Sequence, residues 1–181
     1  MTQNKYYFQA LDNFPYNMQE TIEALNYALS YEGQNAESLC LLGRVYAEVL
    51  KDYETAKDYF AEALQENMDS VSTPIPYIYC LINNDDFSEA EKLIDFALKI
   101  KGIDKATIYY QKSVILEKQG QLKLALKEVK MAKVFTYNEN FMNFLDTRKD
   151  FIKKKMKDSK PKKSKKNENK KAKTKKEASK K

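Results

Sequence analysis

One amphipathic helix recurs four times in this chain at nearly constant spacing. The clearest copy runs from Asp52 to Leu64, where Tyr53, Ala56, Phe60 and Ala63 fall on one helical face. Stepping back 35 residues gives Met18, Thr21, Leu25 and Ala28. Stepping forward 34 gives Phe87, Ala90, Ile94 and Ala97, and a further 35 gives Leu122, Ala125, Val129 and Ala132. Every copy reads large, small, large, small. The large members fill space between helices, and the small ones let two helix axes approach without a void. Four unrelated amphipathic helices would share the helical period, but not the distance between copies or the small residues in matching columns. A recurrence of this length signals stacked helical repeats.

Composition agrees with an all-α chain. The 181 residues contain no Trp, only 4 Gly and 4 Pro, and abundant Ala, Leu, Lys and Glu. Tyr and Phe are plentiful enough for a sizeable core. The net charge of +6 conceals two opposite parts. Residues 148–181 carry 18 Lys/Arg against 4 Asp/Glu, net +14, and residues 1–147 carry 14 against 22, net −8. An acidic body with a basic tail is best read as two functional units.

Punctuation along the chain predicts nine helices. The first spans 5–14 and is closed by Pro15, because the residue before a proline is pushed from helical geometry. Asn17 can cap the second, which runs to about Tyr31 and stops at Gly33. The third spans 36–50. Asp52 caps the fourth, which ends near Gln65. Ser72 or Thr73 opens the fifth, with Pro74 and Pro76 in its first turn, where proline is tolerated. After a turn at Asn83, Asn84 and Asp85, the spacing of Asp86 and Glu89 suits a capping box for the sixth helix, 87–100. Gly102 stops it, Asp104 caps the seventh, 105–119, and Gly120 separates that from the eighth, 121–135. A ninth begins near Asn138 with an apolar stripe of Phe141, Phe144, Leu145, Phe151 and Ile152, interrupted by Arg148 and Lys149. It is either a cap on the last repeat or a partner-binding helix. From about residue 157 apolar side chains vanish, which predicts disorder.

The residues Leu39, Leu42, Gly43, Tyr46, Tyr53, Ala56, Phe60 and Ala63 resemble the tetratricopeptide repeat, a helix pair with a small residue in its first helix and alanines in its second. The match has one extra residue before Tyr53. Ser113 stands for the small residue in the last copy, Pro74 and Ile78 depart from the pattern in the third, and the first helix of the first copy is weak. The resemblance covers residues 3–137, in units of about 3–35, 36–70, 71–103 and 104–137. Residues 138–156 then form a capping helix and 157–181 a disordered Lys-rich tail. It implies an α-solenoid of about four helix pairs whose first helices line a concave groove.

Members of this family generally act as scaffolds or peptide receptors. Carrying the groove positions over implies Tyr6, Tyr7, Cys40, Leu41, Arg44, Tyr79, Ile82, Tyr110, Gln111 and Val114. The partner-binding set is Tyr6, Tyr7, Leu41, Arg44, Tyr79, Tyr110 and Gln111, although packing between repeats is an equal use for each tyrosine. Tyrosine offers large contact area and a hydroxyl at low entropic cost. A subgroup of the family grips a carboxylate with Lys and Asn. Here Tyr6, Ala10, Leu41, Thr107 and Gln111 stand at or near those positions, so that clamp is missing.

The tail offers Lys153, Lys154, Lys155, Lys162, Lys163, Lys165, Lys166, Lys170, Lys171, Lys173, Lys175 and Lys176 to a polyanion. Without arginine forks or stacking rings, such contact with RNA, DNA, a ribosome or an acidic protein is nonspecific. Residues 161–166 also resemble a nuclear import signal, and a merely solubilising tail remains open.

An enzyme is not expected. There is no histidine, no Gly-rich phosphate loop and no nucleophile elbow, and no cofactor or metal is implied. Cys40 and Cys80 lie among apolar residues without metal spacing and read as buried free thiols. No leader peptide or membrane span is read, so the expectation is a soluble cytoplasmic protein, with nuclear entry open in a eukaryote. The sequence thus predicts an intracellular protein-interaction scaffold that binds a partner segment in its groove, with the tail assisting localisation. The alternative is a nucleic-acid- or ribosome-associated protein acting mainly through the tail. The partner and the oligomeric state are not specified.

Overall fold

The computed structural model describes residues 5–32 and 35–158. Among these the elements are α1 Lys5–Asn13, α2 Met18–Glu32, α3 Ala36–Arg44, α4 Tyr53–Glu66, α5 Pro74–Asn83, α6 Phe87–Ala97, α7 Lys105–Lys118, α8 Leu122–Val134 and α9 Glu139–Asp158. A π-helical segment, Val45–Leu50, continues α3. No strand occurs among the described residues. Contacts join α1 to α2, α3 to α4, α5 to α6 and α7 to α8, successive pairs pack on one another, and α9 packs on α8. The result is an all-α solenoid of four helix pairs closed by α9.

The repeating columns are the reason the pairs stack. Thr21, Leu25 and Ala28 of α2 are fully buried, as are Ala56, Phe60 and Ala63 of α4. So are Ala90, Ile94 and Ala97 of α6, and Ala125, Val129 and Ala132 of α8. Each alanine sits where a larger side chain would hold two helices apart. The central core joins Leu39, Phe60, Ile78, Leu81, Ile94, Ile108 and Ile115, and smaller clusters flank it at either end of the array. The tightest approach is at Gly43, where an added Cβ would lie 2.7 Å from the Phe60 ring.

The extra residue before Tyr53 is taken up inside the helix. Over Val45–Leu50 the hydrogen bonds widen, so that the Lys51 and Asp52 amides both reach back to the Tyr46 carbonyl. A π-turn accommodates one additional residue without breaking the helix. Lys51 then adopts a left-handed conformation, φ 58°, and ends it. The third helix is therefore not one regular α-helix over 36–50.

Several caps form as the sequence predicts. Asn17 accepts from the Glu20 amide, Asp52 from Thr55 and Asp104 from Thr107. Gly102 and Gly120 take φ values of 88° and 75°, which L side chains resist. The capping box at Asp86 and Glu89 does not form. Asp86 instead accepts from Lys57 Nζ at 2.9 Å and Asn84 Nδ2 at 2.7 Å, tying α4 to α6, while Glu89 accepts from the Tyr77 hydroxyl. These two donors hold the Asp86 carboxyl below its ordinary pKa. Gly33 and the tail beyond Asp158 lie outside the described residues.

Of the two roles open to α9, the contacts are those of a cap. Leu145 and Ile152 are fully buried against α7 and α8. Arg148, which interrupts the apolar stripe together with Lys149, is part of the docking. Arg148 Nη2 and Lys155 Nζ both reach Glu117 of α7, at 2.5 and 2.6 Å, and the Glu117 side chain is only 9% exposed. On the other side Asp146 accepts from Lys133 of α8 at 2.7 Å and from Lys149 at 2.8 Å.

Hydrogen bonds from Lys133, and then Lys149, push the Asp146 carboxyl down to about 2. A depressed carboxyl stabilises the fold fully above its unfolded pKa, about 4. The contribution then fades as pH falls through its folded value. The Lys133–Asp146 clasp is expected to hold at neutral pH and to open between about pH 4 and pH 2. The carbon-13 shift of the Asp146 carboxyl checks this, because a midpoint near 4 would mean the clasp has no effect.

Candidate functional site

The first helices of the pairs, α1, α3, α5 and α7, adjoin one another and form a single face. Between α3 with its π-turn, α5 and α7 this face opens into a cavity of about 560 Å3. Arg44, Glu48 and Lys51 wall one flank, Val71, Ser72, Ile75, Pro76 and Tyr79 come from α5 and its approach, and Gln111 comes from α7. A smaller cavity of about 80 Å3, lined by Tyr7, Glu37, Cys40, Leu41, Arg44 and Ser72, continues towards α1.

Local sequence explains the placement. Pro74 and Pro76 begin α5, where missing amide donors are harmless, so the face carrying Ile75, Pro76 and Tyr79 starts rigidly. Ser70 accepts from the Thr73 amide at 3.2 Å and bonds both the Ser72 and Thr73 hydroxyls, which fixes the approach to that helix. Arg44 Nε donates to Glu48 Oε1 at 2.8 Å, one turn further along. The guanidinium also lies 4.7 Å from the Phe14 ring centroid. Gln111 Nε2 donates to the Ile75 carbonyl at 2.9 Å, binding α7 to α5.

The seven groove residues implied by the sequence do not share one surface. Arg44, Tyr79 and Gln111 meet at the larger cavity, with Tyr79 46% exposed. Tyr7 and Leu41 line the smaller one, where Leu41 is almost entirely core. Burial also pushes the Tyr7 hydroxyl and the Cys40 thiol above their ordinary pKa values. Tyr6 turns away and packs on Tyr27 and Tyr31 of α2, with ring centroids 5.5 and 5.6 Å apart. Tyr110 is covered by α9, edge-on to Phe144 at 5.1 Å and to Phe141 at 6.2 Å. Ile82 is buried and Val114 packs on the central core.

The sequence reading missed Glu48, Lys51, Val71, Ser72, Ile75 and Pro76. Glu48 was signalled by its i+4 spacing from Arg44. Lys51 had no such signal, because the π-turn resets the face it occupies. Of the tail lysines, Lys153 pairs with Asp150 at 3.4 Å and Lys155 is held by Glu117, whereas Lys154 is exposed. Lys162, Lys163, Lys165, Lys166, Lys170, Lys171, Lys173, Lys175 and Lys176 lie outside the described residues.

Burial pushes the Cys80 thiol up to about 11, so it is protonated at neutral pH. No group of three or more His, Cys, Asp or Glu among the described residues has the arrangement of a metal site. No helix among them is long and apolar enough to cross a membrane.

Comparison with known proteins agrees with this architecture. A tetratricopeptide-repeat family model matches residues 50–101, the stretch from the end of the π-turn through α6. No curated protein matches the chain. Among solved structures it is similar to pilF of Pseudomonas aeruginosa, at 13% identity and a TM-score of 0.74, over 84% of this chain and 68% of that one. It is also similar to MamA, residues 41 to the end, from Desulfovibrio magneticus RS-1, at 18% identity and a TM-score of 0.64, over 85% and 89% of the two chains. A MamA RS-1 double mutant gives 18% identity and a TM-score of 0.63, over 84% and 88%. At such identities the likeness concerns the fold. A tetratricopeptide-repeat match thus lies at the centre of the array, and the same helix pairing continues on either side of it.

Proposed function

We propose that this protein is a non-enzymatic scaffold whose cavity between α3, α5 and α7 receives a segment of a partner protein. Protein-interaction scaffolding is the general role of the fold. The observation that carries the finer reading is the cavity itself, about 560 Å3, with Tyr79 left 46% exposed at its wall. A volume in this range suits a few side chains, and an exposed tyrosine beside a concavity is a common anchor for binding. The basic tail assists by holding the protein near polyanionic surroundings, where lysine needs only phosphate charge and no base reading.

Affinity capture from lysate of the source cells, with the full chain as bait, tests this reading. Tyr79→Ala is expected to reduce recovery of the specific partner about tenfold or more, because truncation of an anchor tyrosine costs roughly 2 kcal/mol. The variant remains folded, since half the side chain already faces water. Tyr6→Ala serves as the comparison. It removes a similar ring that packs on α2, and it leaves recovery unchanged. A folded Tyr79→Ala chain that captures the same proteins equally well would remove the cavity from the binding site.

A further inference from the structure

The outward stripe of α8 differs sharply from that of α4. Lys123, Lys127, Lys130 and Val134 recur at helical spacing, on the side away from the buried Ala125, Val129 and Ala132. All four are exposed, and the three lysines make no ion pair among the described residues. In α4 the same positions of the repeat read Glu54, Asp58, Ala61 and Gln65, so the stacking does not ask for lysine there. Large apolar side chains accompany the lysines. Leu124 is 49% exposed, Val134 69% and, just past the helix, Phe135 41% and Tyr137 99%. Lys105 Nζ lies 5.8 Å from the Phe135 ring centroid, and Lys99 and Lys101, in the connection that leads to α7, are exposed as well. Asp104, the one carboxylate of that connection, is engaged by the Thr107 amide and hydroxyl at 3.2 and 2.6 Å.

Unpaired lysines alone would suit any polyanion. The exposed leucine, valine and tyrosine beside them narrow the choice. A phosphate backbone offers a valine nothing to bury against, whereas a bilayer interface takes apolar side chains and tyrosine just below the phosphates that attract lysine. We infer that the outward face of α8 docks on the surface of a lipid bilayer carrying anionic headgroups. Lys123, Lys127 and Lys130 lie against the headgroup phosphates, and Val134 and Tyr137 enter the interface beneath them. Such docking needs no membrane-crossing helix, and none occurs among the described residues. The cavity belongs to the first helices of the pairs and this face to a second helix, so the two surfaces are separate.

Sedimentation of the full chain with extruded vesicles provides the test, using phosphatidylcholine alone and phosphatidylcholine mixed with phosphatidylglycerol. Binding is expected only to the anionic vesicles, and it weakens as salt rises. Lys123→Gln, Lys127→Gln and Lys130→Gln together lower it about a hundredfold, because each lysine at such a surface contributes about fivefold. Lys162→Gln, Lys163→Gln and Lys165→Gln remove the same charge from the tail and have the smaller effect. Val134→Ser with Tyr137→Ser leaves the charge unchanged yet lowers vesicle binding about tenfold, while binding of a single-stranded RNA oligonucleotide stays the same. The α8 and Tyr137 side chains changed here are exposed, so the fold is kept. The chain contains no Trp, so Tyr137→Trp supplies a single indole whose emission shifts to the blue on anionic vesicles.

Anionic vesicles bound without a blue shift, or an α8 triple variant that binds as well as the tail triple variant, overturns the docking face and leaves charge attraction alone. RNA binding that falls with Val134→Ser and Tyr137→Ser as far as vesicle binding does would assign the face to nucleic acid instead. Failure to bind anionic vesicles at low salt overturns it outright.

Discussion

Gly43→Ala is expected to lower stability by about 2 kcal/mol, although alanine normally improves a helix interior by about 1 kcal/mol. The new Cβ would lie 2.7 Å from Phe60 Cδ1 and Cε1 and 3.0 Å from Cγ. Phe60 has nowhere to withdraw, since it is fully buried and stacked on Tyr77 with ring centroids 5.3 Å apart. The strain therefore passes to the α3–α4 contact, or on to α5 through Tyr77. Urea unfolding followed by circular dichroism measures the loss. Phe60→Leu provides the internal check. Placed in the Gly43→Ala chain it relieves the clash, so the double variant is more stable than the two single losses predict. Additive losses, or a Gly43→Ala chain as stable as the original, would show that the ring is not what excludes a side chain at this position.

Leu145→Ala has the second large expected effect, a loss of about 3 kcal/mol, within the usual range for truncating a buried leucine. Its consequence is local. In a solenoid each unit leans only on its neighbours, so the loss falls on the closing helix and the pair beneath it. Hydrogen exchange should report α9 opening first, with α7 and α8 next, while α3 to α6 keep their protection. The ring cluster of Tyr110, Phe141 and Phe144 loosens at the same time. Uniform loss of protection along the chain would mean that α9 supports the whole array cooperatively.

The fold was legible because its columns have one physical use. Ala56, Ala90 and Ala125 are small for the same reason in every pair, and the spacing between copies excluded unrelated helices. Caps at Asn17, Asp52 and Asp104 were legible because a side-chain oxygen three residues ahead of an amide has a local job. Asp86 shows where that logic ends. The same spacing was available, but Lys57, 29 residues away, offered a charge-assisted bond. The site was less legible than the fold. Of the family positions, Arg44, Tyr79 and Gln111 line the cavity on the open face, whereas Tyr6 and Tyr110 are covered by neighbouring helices. Whether a ring faces a guest or a neighbour depends on what the ends of the array do. At both ends the neighbour is irregular: a weak first helix on one side and α9 on the other.

The π-turn at Val45–Leu50 separates two tasks that a regular helix must perform together. One added residue rotates everything after it by about 100° about the helix axis. Because the widened turn absorbs that rotation before α4 begins, Tyr53, Ala56 and Phe60 still meet their neighbours in register. Lys51, meanwhile, arrives at the cavity wall. The array thus gains a new surface residue by insertion, with no core residue exchanged. Such a unit can be given a different open face by lengthening or shortening one helix end, a route that leaves the packing of the stack untouched.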